Sequence, residues 1–185
     1  MIICAGKNES FDFARSVGIG LVECAIQLTK IVIEEKPTTL FFVGTAGSYG
    51  NYKHFDVITT NKASNIELGF LDNLCYTPIQ NHIGTEFNNV SHETNEQIMP
   101  IVNSSNYITT DKKASLSLLK MGIELENMEF FSILNVAQTF KLPCSGLFVI
   151  TNYCDENAHQ DFIKNHAKAK ELIALHVEKN MKTYQ

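Results

Sequence analysis

Between Leu125 and Glu156 the chain reads LENMEFFSILNVAQTFKLPCSGLFVITNYCDE, and this stretch leaves few folds open. Met128, Phe130, Phe131, Ile133, Leu134, Val136, Ala137 and Phe140 surround most of a helix at the α-helical period. Only Ser132, Asn135, Gln138 and Thr139 are left as an uncharged polar seam, so the helix is expected to be largely covered by protein. Pro143 cannot continue it, and Gly146 to Tyr153 is then a nearly unbroken apolar run, as in a parallel strand buried on both faces. In open α/β sheets ligands sit outside the carboxyl ends of strands, which makes Asp155 a candidate functional residue. Glu129, at the start of the helix, is the other. It is the only charged side chain from Asn127 to Phe140, and an acid on so apolar a helix calls for a hydroxyl-bearing ligand.

The rest of the chain supplies the layers around that strand. Met1 to Ala5 reads as a strand with an exit turn at Gly6-Lys7-Asn8-Glu9, and Phe11 to Val17 as a second strand. Gly18-Ile19-Gly20 opens a helix running to Lys36, with Leu21, Val22, Ala25, Ile26, Leu28, Val32 and Ile33 mostly inward; Pro37 stops it. Leu40 to Val43 is a central strand that is expected to break into a loop at Gly44-Thr45-Ala46-Gly47-Ser48. Strand, helix, strand is the parallel crossover unit. Asp56 to Thr60 is a further strand, and 61–106, rich in Asn and broken by Gly and Pro, predicts loops and short strands. Tyr107 to Thr110 reads as a brief strand, and Thr110 or Asp111 caps a helix ending at Gly122. An amphipathic helix from Asn157 to Lys182 closes the chain, with Phe162, Ile163, Ala169, Leu172, Ile173, Leu175 and Val177 facing the core. These elements predict one domain over 1–185, a three-layer α/β/α sandwich around a mixed, largely parallel sheet.

Composition narrows the function classes. A net charge of -5 without a basic cluster beyond Lys112-Lys113 argues against nucleic acid or an anionic membrane and favours a small-molecule ligand. The five cysteines show no CxxC spacing and read as reduced core thiols, and no apolar window is long enough to span a membrane, so a soluble, cytoplasmic protein is expected. The six histidines lack metal-ligand spacing, so no metal site is expected.

Phe41-Phe42-Val43-Gly44-Thr45-Ala46-Gly47-Ser48 places two glycines around small residues, which lets backbone N–H groups and a hydroxyl approach a ligand closely. It is not a P-loop, since no Gly-Lys-Ser/Thr follows. Taken in order, Gly18-Ile19-Gly20 before an apolar helix, this glycine segment, the pair Met128-Glu129 and the strand ending at Asp155 resemble the nucleoside phosphorylase and nucleosidase superfamily. The resemblance implies that Met128 and Glu129 hold the ribose and that Asp155 protonates the leaving base. It implies that Gly44, Thr45, Ala46 and Gly47 line the nucleophile site, and that Glu9, a few residues beyond Ile2-Ile3-Cys4-Ala5, activates water. Asn152 and Tyr153 would lie beside the base.

The family's two branches are told apart by arginines that this chain lacks. The hexameric phosphorylases carry one two residues before the Gly-Thr, where Phe42 stands, and the nucleosidases carry one four residues before the aspartate, where Thr151 stands. Arg15 is the chain's sole arginine and the sole guanidinium available to a phosphate. The implied activity is cleavage of a nucleoside, a purine nucleoside above all, by phosphorolysis or hydrolysis, with no cofactor and with phosphate as an optional co-substrate. A nucleoside-binding protein without turnover, or an α/β interaction domain without a ligand, are the alternatives. A homo-oligomer is expected, because the helix from Gly20 to Lys36 carries more apolar surface than one sheet face needs.

Overall fold

A computed structural model describes residues 1–85 and 99–180. The elements are β1 (Ile2–Cys4), β2 (Arg15–Ser16), α1 (Gly20–Glu35), β3 (Leu40–Ser48), β4 (Val57–Thr60), β5 (Lys62–Ser64), α2 (Leu68–Leu71), β6 (His82–Gly84), β7 (Ile101–Asn103), α3 (Lys112–Lys120), β8 (Ile123–Glu126), α4 (Phe130–Thr139), β9 (Cys144–Tyr153) and α5 (Ala158–Asn180). The strands form one sheet in the order β2-β1-β3-β8-β7-β5-β6, with β9 pairing β3 and β4 off that path. Pairs β1/β2, β1/β3, β3/β9, β5/β7 and β7/β8 are parallel; β3/β8, β4/β9 and β5/β6 are antiparallel. The expected mixed, largely parallel α/β sheet is what the chain forms.

Its two central strands are buried at nearly every position because helices cover both faces. Leu40 and Phe42 of β3, with Cys144, Phe148 and Ile150 of β9, pack with Cys24, Leu28 and Val32 of α1 and Phe130, Ile133 and Leu134 of α4. The alternate residues Phe41, Val43, Leu147 and Val149 face Ala169, Ile173 and Val177 of α5 on the other side. Successive side chains of a strand point to opposite faces, so covering both faces buries both sets, including the polar Thr45, Ser48, Ser145, Thr151 and Asn152.

Several sequence expectations are corrected. The segment Gly44 to Ser48 is not a loop but the second half of β3, paired with β9 throughout. Its glycines serve close packing: a Cβ on Gly44 would come within 2.9 Å of the Phe42 ring, and one on Gly47 within 2.6 Å of Cys154 Sγ. The strand expected from Phe11 to Val17 shrinks to Arg15–Ser16, since residues just before it form a turn closed by Ala14 N–H donating to Phe11 O. Tyr107 to Thr110 is not a strand; the parallel partner of β8 is Ile101–Asn103. Asp111 caps α3, accepting from Ala114 N. On α1, Val22, Ile26 and Ile33 are exposed rather than inward, as are Ile163 and Leu175 on α5. One sheet face accepts only the stripe Gly20, Cys24, Leu28, Ile31 and Val32. The expected end of the last helix at Lys182, and residues 86–98 of the poorly patterned region, lie outside the described residues.

Candidate active site

The site arises where the sheet forks. On one edge β3 is laddered to β9 from Leu40 to Ser48. On the other, β1 pairs only with Phe41 and Phe42, and β8 only with Gly47 and Ser48. Thr45 lies between the two partners, and a buried backbone N–H and C=O left unpaired there would be costly. Side chains take the place of a strand. Thr45 N donates to Glu9 Oε2 at 3.3 Å, and Asn127 Nδ2 donates to Thr45 O at 3.1 Å. The Thr45 hydroxyl donates to Glu9 Oε1 as well. A tight turn, with Gly6 and Lys7 at positive φ and Glu9 N–H donating to Gly6 O, folds Glu9 back over the strand end.

The α4 side of the fork is built around Asn127. Its Oδ1 accepts from the amides of Glu129 and Phe130 at 2.9 and 3.0 Å, capping the first turn that the backbone leaves unsatisfied. Glu129 is thereby free to face elsewhere, and its Oε1 accepts from Gly20 N at 3.0 Å. Gly20, at φ +77, opens α1; a Cβ there would meet Asn106 Oδ1, which accepts from Leu21 N at 2.8 Å. Glu129 thus lies at the positive end of α1 rather than being steadied only by its own helix. Burial still dominates and pushes its carboxyl up to about 7, with the Gly20 amide opposing and the nearby Glu9 adding to the rise. Glu9 is raised by the same desolvation, opposed by its two bonds from Thr45.

These groups line a cavity of about 360 Å³. Glu9, Thr45, Ala46, Gly47, Glu126, Asn127, Met128, Glu129, Thr151 and Asn152 form its wall, with Ile19, Ile108, Ala158 and Phe162 as apolar lining. The fold therefore brings together Glu9, Thr45, Ala46, Gly47, Met128, Glu129 and Asn152. The remaining sequence candidates lie elsewhere. Gly44 is one residue outside the wall, its missing side chain making room for Glu9 Oε2. Arg15 is on the outer strand β2, its Nε 3.4 Å from Glu35 Oε1. Tyr153 packs against His54 in a tilted ring pair, 5.0 Å between centroids. Asp155 stands just past β9, where its Oδ1 accepts from Asn157 N at 2.9 Å and its carbonyl starts α5; it is not part of the wall.

Sequence reasoning missed Glu126, Asn127 and Thr151. Glu126 is buried at the end of β8, accepting from Tyr49 Oη at 2.8 Å and from Thr109 N at 2.9 Å, and burial raises its carboxyl. The signal was its placement two residues before the Met-Glu pair, at the carboxyl end of a strand. Thr151 is the extra residue of a bulge, since Ala46 faces Ile150 while Gly47 faces Asn152. Asn165 Nδ2 donates to the Thr151 carbonyl that the bulge frees, at 2.7 Å. Among the described residues no cluster of His, Cys, Asp or Glu could hold a metal ion, and no helix is long and apolar enough to cross a membrane.

The sequence profile of the phosphorylase superfamily matches residues 13–179, a span that begins after Glu9 and contains every other candidate residue in the wall. A mutant of the 5'-methylthioadenosine/S-adenosylhomocysteine nucleosidase of Helicobacter pylori, with 5'-methylthioadenosine in its active site, is similar at TM-score 0.80 and 19% identity over 98% of this chain and 96% of that one. The futalosine hydrolase of the same organism gives 0.78 and 20% over 99% and 95%. The corresponding nucleosidase of Streptococcus pneumoniae, in complex with 8-aminoadenine, gives 0.75 and 13% over 94% of each chain. No curated protein matches the sequence.

Proposed function

The chain belongs to the phosphorylase superfamily, and on that premise we propose that it hydrolyses the N-glycosidic bond of a purine nucleoside, releasing the free base. The observation that carries the reading is the bonding of Glu9 to the Thr45 amide and hydroxyl in the same cavity wall as Glu129. Glycosidic cleavage passes through an oxocarbenium-like sugar, which two carboxyl groups serve by stabilising positive charge and by taking a proton from the attacking water. Glu129 and Met128 hold the ribose, Glu129 through its hydroxyls. Glu9 draws the proton from water as the oxygen attacks the anomeric carbon, and the bonding pair leaves with the base.

The base lies toward Asn152, Ala158 and Phe162, where the face of a flat aromatic ring meets Ala158 and Phe162 and its polar edge meets the Asn152 amide. Asp155 falls between Asn152 and Ala158 in the chain and protonates the leaving base by turning its carboxyl from the Asn157 amide toward the cavity. Such contacts often tighten only around bound substrate. The adenine derivatives held by the similar nucleosidases support a purine. Hydrolysis is favoured over phosphorolysis because Arg15, the chain's sole guanidinium, is engaged with Glu35 at the outer edge, away from the cavity wall. The chemistry draws on carboxyl groups and water and needs no cofactor.

The test is a panel of adenosine, inosine and 5'-methylthioadenosine with and without phosphate, followed by chromatography of the released base. Base release that does not depend on phosphate is expected; release only with phosphate overturns the hydrolytic reading. The placement of Asp155 outside the wall favours one second reading, a protein that binds nucleosides without turning them over. Calorimetric binding with no product after long incubation would select it. The exposed apolar face of α1, at Val22, Ile26 and Ile33, supports a homo-oligomer in this reading. A monomer by light scattering at micromolar concentration would count against that part.

A further inference from the structure

His166 lies on α5 behind Glu9, outside the cavity wall. Its Nε2 is buried and makes no hydrogen bond among the described residues, yet it faces Glu9 Oε1 at 3.9 Å. A buried ring nitrogen without a partner is unusual, since such groups are normally satisfied. The ring is held in place by Phe162, one turn earlier on α5, whose centroid is 4.8 Å away and which itself lines the cavity. Glu9 Oε1 thus has the Thr45 hydroxyl on one side and an unengaged imidazole nitrogen on the other. Thr45 is a donor to it; the imidazole, when neutral, can be an acceptor.

We infer that His166 is a positioning residue that acts through Glu9, accepting at Nε2 the proton that Glu9 takes from the attacking water. This deepens the hydrolytic reading and rests on it. The balance is simple: water gives its proton to the Glu9 carboxylate as its oxygen bonds to the anomeric carbon. The Glu9 carboxyl then passes that proton to neutral His166, leaving carboxylate and imidazolium. The imidazolium, whose side chain is 15% exposed, returns the proton to solvent. The starting charge states leave both acceptors empty, and the step from Glu9 to His166 is uphill, drawn forward by loss of the proton to solvent. Burial raises Glu9, so its carboxyl gives up a proton less readily than an exposed one but is a stronger base toward water. Desolvation, and then Lys170 one turn on along α5, lower His166: the ring starts neutral with Nε2 open to a proton, and as a weakened base it holds that proton only briefly before passing it to solvent. The charged and titratable groups around the pair are Lys170, which favours the Glu9 carboxylate, Glu129, which is coupled to Glu9 across the cavity, and the buried Cys4 thiol of β1, which the Glu9 charge helps to keep protonated.

Two measurements test the inference. The first needs no turnover: the imidazole signal of His166 is titrated by NMR in the wild type and in Glu9→Gln. Loss of a facing carboxylate should lower its midpoint by about one pH unit. An unchanged midpoint would overturn the proposal even if nucleosides are cleaved. The second is kinetic, with 5'-methylthioadenosine as the probe. His166→Ala should lower kcat roughly tenfold or more with KM within twofold, general acid-base groups contributing at least that much, and added imidazole should restore part of the loss. A loss that imidazole does not touch, or that falls on KM, marks a packing role under Phe162 and overturns the relay. If wild type cleaves none of the panel nucleosides, the hydrolytic reading itself fails, while the NMR shift still reports whether His166 and Glu9 are coupled.

Discussion

The two edges of β3 do different work. Toward β9 every residue from Leu40 to Ser48 has a strand partner, and the side chains above and below are fully buried. Toward β1 and β8 the ladder lapses at Thr45, and carboxylate and amide side chains complete the bonding. One edge is a packed core whose value is stability. The other is a place where polar groups remain at the surface of a cavity because no strand displaces them. The difference teaches that a gap in a sheet can be the cheapest way to hold an acid in a dry setting: the backbone groups exposed by the gap are the ones that fix it.

The sharpest contrast comes from the laddered edge. Phe148, with no exposure and ring neighbours Phe42 and Phe130 at 5.6 and 5.0 Å, should cost about 3–5 kcal/mol of stability as Phe148→Ala, read by urea unfolding. The folded fraction should keep its specific activity within about twofold; a large loss of activity per folded molecule would blur the distinction between the edges. On the open edge, Glu9→Gln should do the reverse, lowering kcat by roughly a hundredfold, about 3 kcal/mol in the barrier, while the melting temperature holds or rises. Turnover that survives the change would remove Glu9 from the chemistry.

Glu129 links the open edge to pH. Its carboxyl is held at about 7 in the fold against an ordinary 4.5, so between those values the folded chain keeps a proton that the unfolded chain has lost. Stability from this group is therefore complete below about 4.5 and is lost as pH rises through about 7, an effect of up to about 3 kcal/mol. In Glu129→Gln the decline between pH 5 and pH 8 should flatten; equal slopes in variant and wild type would contradict the burial argument. Nucleoside affinity should fall in the same variant while free-base affinity holds, as one of the two carboxylate oxygens open to the ribose hydroxyls is replaced by an NH2 donor. The smallest effect is expected from Thr45→Val, which keeps the amide bond to Glu9 and loses the hydroxyl one. It should cost about 1 kcal/mol of stability and move the acid limb of kcat/KM upward, since Glu9 loses a donor to its charged form. An acid limb that stays in place would mean that the hydroxyl does not tune Glu9.

How far the sequence could be read follows from which interactions are local. The period of α4, the stop at Pro143 and the unbroken apolar run of β9 were legible because each is set by neighbours within a turn or a pleat. The Met128-Glu129 pair and Thr45, Ala46 and Gly47 were singled out by the resemblance rather than by local pattern, and the fold sets them in one cavity wall. Reading Gly44 to Ser48 as a loop failed because glycine usually weakens a strand, whereas here the space belongs to Phe42, Glu9 and Cys154, all side chains from elsewhere on the sheet or one residue pair back. The inward assignment of Val22, Ile26 and Ile33 failed because periodicity gives an apolar helix no way to say which stripe is covered.

By itself, then, the sequence determined a helix and strand too apolar to lie anywhere but inside an α/β sheet, and the acids at their ends. Tertiary structure decided which of those acids meet. Glu9 reaches Thr45 across 36 residues and Glu129 reaches the Gly20 amide across 109, while Asp155 stays at the Asn157 amide and Arg15 leaves for Glu35. Those outcomes depend on where β1 ends and β8 begins along β3, a question of chain topology and close packing on which no local pattern of residues bears.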